Sequence, residues 1–380
     1  MTHDGEARGS SPLPALHILS DLATPHNNAL VGAIRASGKL RVITWYANRH
    51  LDALPWKEAL GGTLDNYYFD SIAMRGKLLL MLLRQPEDHV LLVGYSNMMN
   101  RIVLLWCVLV HRRFMMWSDL PQGKKGAALL VRRIAHWLVK RFADPLFVVG
   151  KQALNWFEAH GFARARLVNL PIFIELPSTA RIASVPRAYI REKYRVAPDT
   201  VFAVAASRLT YAKGYDLLIS AVARMVPPSR KKFRLVIVGS GPEESKLTEQ
   251  VRQTQLESSI AFLPWLSLED YEELIASADI FVHPARFDAF GGGTLFAMAY
   301  GIPVIGSDKA GTVIERIVHG VNGLVYPVED VGLLAQYLTR LGSDPQERAS
   351  LGAAARETAI KWTPRVGAEL FVNAILRTAR

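Results

Sequence analysis

Cysteine is nearly absent from this sequence of 380 residues, which contains a single copy, Cys107. One cysteine excludes an intrachain disulfide, and such scarcity is typical of a protein from a reducing compartment. Cys107 lies in the apolar run at residues 102–110. We therefore predict a buried core thiol rather than a reactive one.

Long hydrophobic segments are also lacking. The longest uninterrupted apolar runs, residues 78–83 and 102–110, are far shorter than the roughly 18 residues needed to cross a bilayer. Residues 1–14 lack the basic-then-apolar pattern of a signal peptide, and we predict that they form a disordered leader. These absences favour a cytoplasmic protein that is soluble or bound peripherally at the inner face of the cell membrane.

Acidic residues are outnumbered, which gives a formal net charge of +11. Such an excess indicates an acidic partner: phosphorylated ligands, an anionic membrane surface or nucleic acid. In the first half of the chain the basic residues are concentrated at 101–141, where Asp119 and the nearby Asp144 are the only acidic residues. We do not expect nucleic acid as a partner, because no recognised motif or aromatic stacking platform is present.

Within this basic region, apolar residues recur at helical spacing between the arginines and lysines. One interpretation is an amphipathic helix whose apolar stripe packs on the sheet while the arginines face solvent. The other is a basic helix that faces an anionic membrane, with Trp137 near the interface. The sequence leaves both interpretations open.

Short apolar strands alternate with helices along the whole chain, and no repeat period is present. This alternation predicts an α/β protein built from doubly wound parallel sheets, and the length favours two domains. Residues 171–186 lose periodicity and gain Pro, Ser and Thr, as a linker does. We place domains at 15–178 and 188–361, a linker at 179–187 and a final helix at 362–380.

Residues 278–323 form the segment around which the second half is organised. A strand at 280–283 is followed by a turn with Asp288, the triplet Gly291, Gly292 and Gly293, and a helix from Thr294 to Tyr300; another strand follows at 304–306. Glycines just before a helix allow an anion to approach the free N–H groups, where the helix dipole favours negative charge. The unit predicts a phosphate-binding site.

Three other features follow predicted strands of the same half. Arg208 and Lys213 flank a turn after the strand at 201–205, and two cations at that spacing can reach one diphosphate. Gly239 and Gly241 end the next strand, where they admit either a ligand or a neighbouring loop. Leu263 and Trp265 end a third, where an aromatic ring can face a base. Ligands of parallel sheets bind at this edge.

Five segments resemble, in order and spacing over residues 202–327, the family 4 retaining glycosyltransferases of the GT-B fold. They read SRLTYAKGYDLL, LVIVGSGPEESKL, ADIFVHPARFDAFGGG, AMAYGIPVIGSD and GVNGLVYP. The resemblance implies two Rossmann-like domains facing a cleft, with the last helix crossing back to the first domain. It also implies a nucleotide-sugar donor of UDP or GDP type, with Arg208 and Lys213 neutralising the diphosphate. No Asp-x-Asp motif occurs, so we expect no metal site.

The sequence departs from the family at several positions. Asp288 and Phe296 stand where the family has two glutamates, one contacting the transferred sugar and one holding the ribose. Phenylalanine cannot accept a hydrogen bond, so the ribose contact is lost or rebuilt. Glu315 matches a downstream carboxylate and could compensate, or could simply cap a helix. Asp119, where the family often has histidine, is a candidate for contacting the acceptor hydroxyl or the transferred sugar. His26 is a candidate for contacting the acceptor or a phosphate, or is simply an exposed loop histidine.

Two functions remain open from the sequence. The first is an enzyme that moves a sugar from a nucleotide to an acceptor hydroxyl, on a lipid-linked or other precursor of cell-surface polysaccharide or lipopolysaccharide. The second is a degenerate relative that serves as a scaffold or partner subunit at the membrane, for which Phe296 is the main argument. The retained Arg208, Lys213 and glycine triplet favour the enzyme.

Overall fold

A computed structural model describes residues 15–21, 24–48, 66–121 and 127–378. The predicted leader at residues 1–14 lies outside these residues. The described chain forms two α/β domains, each built on its own parallel sheet. The predicted fold class is therefore confirmed.

The first domain is built on a seven-stranded parallel sheet with the order β3-β2-β1-β4-β5-β6-β7. Its strands are β1 (Ala15–Ser20), β2 (Arg41–Tyr46), β3 (Asn66–Tyr68), β4 (His89–Val93), β5 (Phe114–Ser118), β6 (Ala143–Val148) and β7 (Leu167–Asn169). Six were predicted from their apolar runs. The edge strand β3 was missed, because three half-buried residues carry no periodic signal.

Among the described residues of this domain, the helices that lie on the sheet are α1 (Pro25–Ala36), α2 (Ile72–Arg84), α3 (Met98–Leu109), α4 (Ala127–Phe142) and α5 (Gly150–Ala159). The side chains of Thr24, Ser71 and Asn97 each accept a hydrogen bond from a backbone N–H three residues on, which fixes where α1, α2 and α3 begin. Helix α1 shares a core with one face of the sheet, and α2 to α5 share a core with the other. Cys107 is fully buried in that second core, as predicted.

The predicted linker at residues 179–187 includes a short helix that the sequence analysis did not predict. This helix is α6 (Thr179–Ser184), which begins where the Ser178 hydroxyl accepts a hydrogen bond from the Arg181 N–H. A helix of six residues is too short to produce a recognisable hydrophobic period, so a Pro- and Ser-rich composition concealed it.

The second domain has a six-stranded parallel sheet with the order β10-β9-β8-β11-β12-β13. Its strands are β8 (Val201–Ala206), β9 (Phe233–Val238), β10 (Ile260–Leu263), β11 (Ile280–His283), β12 (Val304–Ser307) and β13 (Leu324–Tyr326). Its helices are α7 (Arg187–Lys193), α8 (Tyr215–Arg224), α9 (Pro227–Lys231), α10 (Glu244–Gln253), α11 (Leu268–Ala276), α12 (Gly292–Ala299), α13 (Gly311–Arg316), α14 (Val331–Ser343) and α15 (Pro345–Ile360).

The last helix, α16 (Pro364–Thr378), packs on α1 and β6 of the first domain. Phe371 is fully buried and stacks on Phe147 with 4.6 Å between ring centroids. The chain therefore returns to its first domain after completing the second. This return joins the two domains through a continuous apolar core as well as through the linker.

Candidate functional site

A cleft of about 520 Å³ lies between the two domains, at the carboxyl ends of strands β8 and β11. From the second domain it is lined by Arg208, Lys213, His283, Asp288, the glycine triplet and Thr294. From the first domain and the connecting segment it is lined by His26, Ala29, Ile172, Ile174 and Glu175. The cleft thus brings together most of the residues that the sequence singled out for binding phosphate.

Asp288 is at the centre of a hydrogen-bonded chain on the floor of this cleft. Its Oδ2 atom lies 2.6 Å from Lys213 Nζ and 3.0 Å from His283 Nε2. His283 Nδ1 lies 2.8 Å from the Thr294 hydroxyl. Because an ionised carboxylate only accepts hydrogen bonds, Nε2 of His283 is the donor to Asp288. His283 itself was not singled out from the sequence, although it ends the predicted strand.

The charge state of Asp288 follows from these neighbours. Burial by itself would raise its pKa, but the hydrogen bond from His283 and the Lys213 ammonium outweigh burial and hold the pKa far below its usual range. Asp288 is therefore ionised at neutral pH. Its negative charge holds the Lys213 ammonium beside the turn that precedes the glycine triplet.

Two positions of the glycine loop require glycine, Gly291 because of its backbone angle and a close contact, and Gly293 because of a close contact alone. Gly291 has φ +90°, and a Cβ there would lie 2.0 Å from His283 Cε1. A Cβ on Gly293 would lie 2.8 Å from both the Phe281 ring and the Tyr271 hydroxyl. Gly292 meets nothing within 4 Å and faces open space.

Helix α12 starts at Gly292, two residues earlier than predicted, so two of the glycines form its first turn. The N–H groups of a first turn have no partner within their own helix, and the helix dipole adds a positive potential there. Because glycine leaves this turn uncovered, the geometry suits an anion such as a phosphate.

The side chains of Arg208 and Lys213 differ in how they are held in the cleft. Lys213 ends a 3₁₀ turn and is held by Asp288, while Gly214 takes a left-handed conformation, with φ +67°, to begin α8. Arg208 is exposed, and within the described ranges its guanidinium has no ion pair or hydrogen bond. One cation of the pair is therefore pre-positioned, and the other stays available for a ligand.

Asp119 follows strand β5 of the first domain and interacts electrostatically with Asp288 and Lys213 across the cleft. The protein walls around it raise the pKa of its carboxyl to about 6, since desolvation and the charge of Asp288 outweigh the hydrogen bond from the Leu120 N–H and the charge of Lys213. Asp119 is exposed to solvent, and it is not among the residues that line the cleft. The carboxyl is thus close to half ionised near pH 6.

His26 lies in the first turn of α1 and lines the cleft from the first domain. Burial lowers its pKa to about 4, so the imidazole is neutral at pH 7. A neutral imidazole can donate one hydrogen bond and accept another. It contributes a polar contact to the cleft but no positive charge.

Glu315 lies outside the cleft, where the second domain contacts the first. Its Oε2 atom accepts a hydrogen bond of 2.7 Å from the Lys151 N–H, and its Oε1 accepts one of 2.9 Å from the Asn169 amide. Both partners belong to the first domain, and Lys151 is in the first turn of α5. Glu315 therefore caps a helix of the opposite domain, and it is not among the residues that line the cleft.

Gly239, Gly241 and Leu263 are also outside the cleft lining, whereas Trp265 belongs to it. A Cβ on Gly239 would lie 2.0 Å from the Ser207 carbonyl oxygen, and one on Gly241 would lie 2.3 Å from that of Leu209. These glycines allow the backbones of two neighbouring loops to touch, rather than admitting a ligand. Leu263 is half-buried and packs against the core.

Helix α11 contributes two polar cleft residues that sequence reasoning missed, Tyr271 and Glu272, as well as the apolar Leu268. The Tyr271 ring meets the edge of Phe296, with 5.6 Å between centroids, and Phe296 itself lines the cleft. Glu272 Oε2 accepts a hydrogen bond of 2.9 Å from the Tyr300 hydroxyl. Neither residue belongs to a local motif, so only the packing of α11 against α12 identifies them.

Two absences concern only the parts of the chain that the structure describes. Across these parts, we find no cluster of three or more His, Cys, Asp or Glu side chains arranged to hold a metal ion. Likewise, no described helix combines the length and apolar character that crossing a bilayer requires.

Residues 186–358 match the model of the family Glycosyl transferases group 1. The chain is 29% identical over 265 residues to the GDP-mannose-dependent monoacylated alpha-(1-6)-phosphatidylinositol monomannoside mannosyltransferase of Corynebacterium glutamicum, covering 68% of this chain and 66% of that protein. It is 30% identical over 269 residues to the GDP-mannose-dependent alpha-(1-6)-phosphatidylinositol monomannoside mannosyltransferase of Mycolicibacterium smegmatis, covering 67% and 65%. The matches thus span just under two thirds of these relatives.

Among solved structures, the chain is similar to Anabaena Alr3699/HepE in complex with UDP. The TM-score is 0.75 at 18% identity, and the alignment covers 96% of this chain and 100% of that one. The fold is therefore the GT-B fold, two Rossmann-like domains facing a cleft. The match of residues 186–358 to the model of the glycosyl transferases group 1 family confirms the resemblance that the sequence motifs predicted.

Proposed function

We propose that this protein is a retaining, metal-independent glycosyltransferase that moves a sugar from a UDP- or GDP-type donor to an acceptor hydroxyl. The observation that carries the proposal is that two cations and the N-terminus of α12 line the same cleft, with Lys213 held there by Asp288. Two cations and a helix N-terminus in one cleft suit a diphosphate.

Each group has a distinct role in this proposal. Negative charge builds on the leaving diphosphate as the glycosidic bond breaks, and positions that already carry positive potential stabilise that charge without rearrangement. Arg208 and Lys213 supply two charges, and the N–H groups of Gly292 and Gly293 supply hydrogen bonds. Asp288, being ionised and adjacent to Lys213, contacts the transferred sugar.

The remaining cleft residues provide the other contacts. Trp265 and Leu266 offer an apolar wall for the base. Tyr271 and Glu272 offer hydrogen-bonding groups beside Phe296, which replaces the glutamate that holds the ribose in the family. Asp119 contacts the acceptor hydroxyl or the transferred sugar, and His26 contacts the acceptor or a phosphate. Glu315 has no donor contact in this proposal.

The acceptor is a lipid-linked or other cell-surface glycan precursor. Two relatives are named for transfer to phosphatidylinositol monomannosides, which are lipid-bearing acceptors. The excess of basic residues at 101–141 supports an anionic acceptor and a position at the inner face of the cell membrane, against anionic lipid.

A scaffold without activity is the alternative, and Phe296 is the observation that favours it. A phenyl ring at this point of the cleft offers no acceptor for ribose hydroxyls. The buried, hydrogen-bonded chain of Lys213, Asp288 and His283 argues against a scaffold. Burying charged groups costs free energy, and a site that binds nothing gains nothing in return.

Thermal-shift measurements against a panel of nucleoside diphosphates and their sugars test the proposal. We expect UDP or GDP to raise the melting temperature of the wild type, and Arg208→Ala to abolish most of that rise. Transfer is then assayed with the stabilising donor and a membrane extract as acceptor source. A melting temperature that no nucleoside diphosphate changes contradicts the donor site. Binding without transfer favours the scaffold.

A further inference from the structure

Helices α2, α3 and α4 cover one face of the first sheet, and none of their sequences contains Asp or Glu. Helix α3 contacts α4, and Arg112, just after α3, donates hydrogen bonds to carbonyl oxygens at the end of α2, one of them 3.0 Å to Gln85. The three helices therefore form one continuous outer surface. Three neighbouring helices without a carboxylate are unusual for a soluble domain, which mixes charges of both signs. The exposed Asp70 and Glu87 lie just before and just after α2.

The outer side of α3 is apolar along its whole length. Met98, Ile102, Leu105 and Leu109, which we call the α3 stripe, are 60%, 39%, 49% and 77% exposed. Their spacing of three and four residues places them on one side of the helix. The one charged residue of α3, Arg101, folds back to donate hydrogen bonds to the carbonyls of Tyr95 and Ser96. A helix that is apolar all round is normally buried or in contact with lipid.

The neighbouring helices extend this surface. In α4, Ile134 and Trp137 are 51% and 61% exposed, and in α2 Leu80 and Leu83 are exposed as well. Exposed basic residues flank these apolar groups: Arg84, Arg133 and Arg141. Apolar residues with a tryptophan, bordered by arginines, are the composition of surfaces that lie in the headgroup region of a bilayer.

We propose that the α3 stripe, with Trp137 and the flanking arginines, inserts into the interface of an anionic lipid bilayer. Charge complementarity selects this occupant, because two copies meeting through such faces would bring arginines together with no carboxylate on any of the three helices to offset them. The inference goes beyond electrostatic attraction by the basic region, since it assigns an apolar, salt-resistant contact to α3.

The direction of the helices places this surface beside the cleft. In the parallel sheet, α3 starts after the carboxyl end of β4, which is the edge where Asp119 follows β5. The α3 stripe therefore begins at the edge of the sheet that faces the cleft, where His26 and Ala29 follow β1. A lipid-linked acceptor would then reach the cleft without leaving the bilayer. This last step, unlike the lipid contact itself, rests on the proposed function.

Sedimentation with phosphatidylglycerol-containing vesicles tests the proposal. We expect the wild type to bind at low salt and to keep a measurable bound fraction at roughly 0.5 M salt, where exposed charge attraction is largely screened. The variant L105Q/L109Q removes two leucines without changing charge, and we expect its partition coefficient at high salt to fall on the order of tenfold. R133Q/R141Q should instead weaken mainly the binding at low salt.

The matched control is V318Q/V321Q, which alters two valines of the second domain that are each 60% exposed. It should bind vesicles like the wild type. Equal high-salt binding by L105Q/L109Q and wild type, or an equal loss in the control, would overturn the proposal. A wild-type dimer in lipid-free solution that L105Q/L109Q converts to a monomer would also overturn it, because a second copy would then cover the stripe.

Nucleotide binding is measured on the same variants. All of them should keep the thermal shift produced by UDP or GDP, because none of the altered residues lines the cleft. Loss of vesicle binding with an intact nucleotide response confirms the surface. Vesicle binding by a protein that responds to no nucleotide leaves the surface standing and contradicts the proposed function instead.

Discussion

Lys213 Nζ and Asp288 Oδ2 are 2.6 Å apart, and the two side chains are only 12% and 11% exposed. The ion pair joins the turn after β8 to the loop before α12, so the cation that would meet a diphosphate is also part of the domain's internal structure. Arg208, which the sequence pairs with Lys213, is exposed and makes no such contact with any described residue.

The two cations should therefore respond differently to substitution. Lys213→Ala and Arg208→Ala should each lower turnover on the order of 10²–10³-fold, as loss of a charge that stabilises a transition state does. Lys213→Ala should also cost about 1–3 kcal/mol in the free energy of unfolding, because Asp288 stays buried with His283 as its remaining partner. Arg208→Ala should leave stability unchanged. Kinetics with denaturant unfolding of both variants would test this, and equal stabilities would contradict the structural role of Lys213.

The pKa of Asp119, about 6, predicts a pH-dependent rate. If the ionised carboxylate contacts the acceptor, turnover should rise as pH increases from about 5 to 7, and Asp119→Asn should lower the rate and flatten the profile. The sign for stability is the opposite. A carboxyl whose folded pKa is raised binds more protons in the folded state, so its contribution to stability falls as pH rises from about 4 to 6. An unchanged rate profile in Asp119→Asn would remove this residue from the site.

Glu315 should behave as a contact between domains. Glu315→Ala removes the acceptor for the Lys151 N–H and the Asn169 amide and should cost about 1–3 kcal/mol of stability. Affinity for UDP or GDP, measured by calorimetry at a temperature where the variant is folded, should stay within about twofold of wild type. A large loss of nucleotide affinity at unchanged stability would restore the donor-binding role that the family resemblance suggests.

The side chain at position 296 should determine how tightly the proposed donor binds. Charge-assisted hydrogen bonds are each worth roughly 1.5–3 kcal/mol, so an enzyme that lacks two of them should have a high KM for its donor. Phe296→Glu should lower that KM while leaving kcat similar, and Phe296→Gln serves as the uncharged control. If the wild type transfers no sugar to its natural acceptor and Phe296→Glu switches transfer on, the scaffold alternative is correct.

Local patterns in the sequence were enough for the fold class, although they missed β3 and α6. The strands at 260–263 and 280–283 and the helix at 268–276 have the bounds that their apolar runs and turn residues predicted. The glycine triplet, Lys213 and Asp288, which the sequence singled out, all line the cleft. Periodicity and turn chemistry act over a few residues, so a sequence displays them directly.

Contacts between distant residues needed the tertiary structure. Glu315 and Lys151 are 164 positions apart, and no local rule connects a carboxylate in one domain to a helix start in the other. The same holds for Tyr271 beside Phe296, which depends on how α11 packs on α12. The α3 stripe shows the limit most clearly: the apolar run at 102–110 indicates a buried helix, yet one side of it is exposed. Hydrophobicity is a property of the residues, whereas burial depends on which elements pack around them.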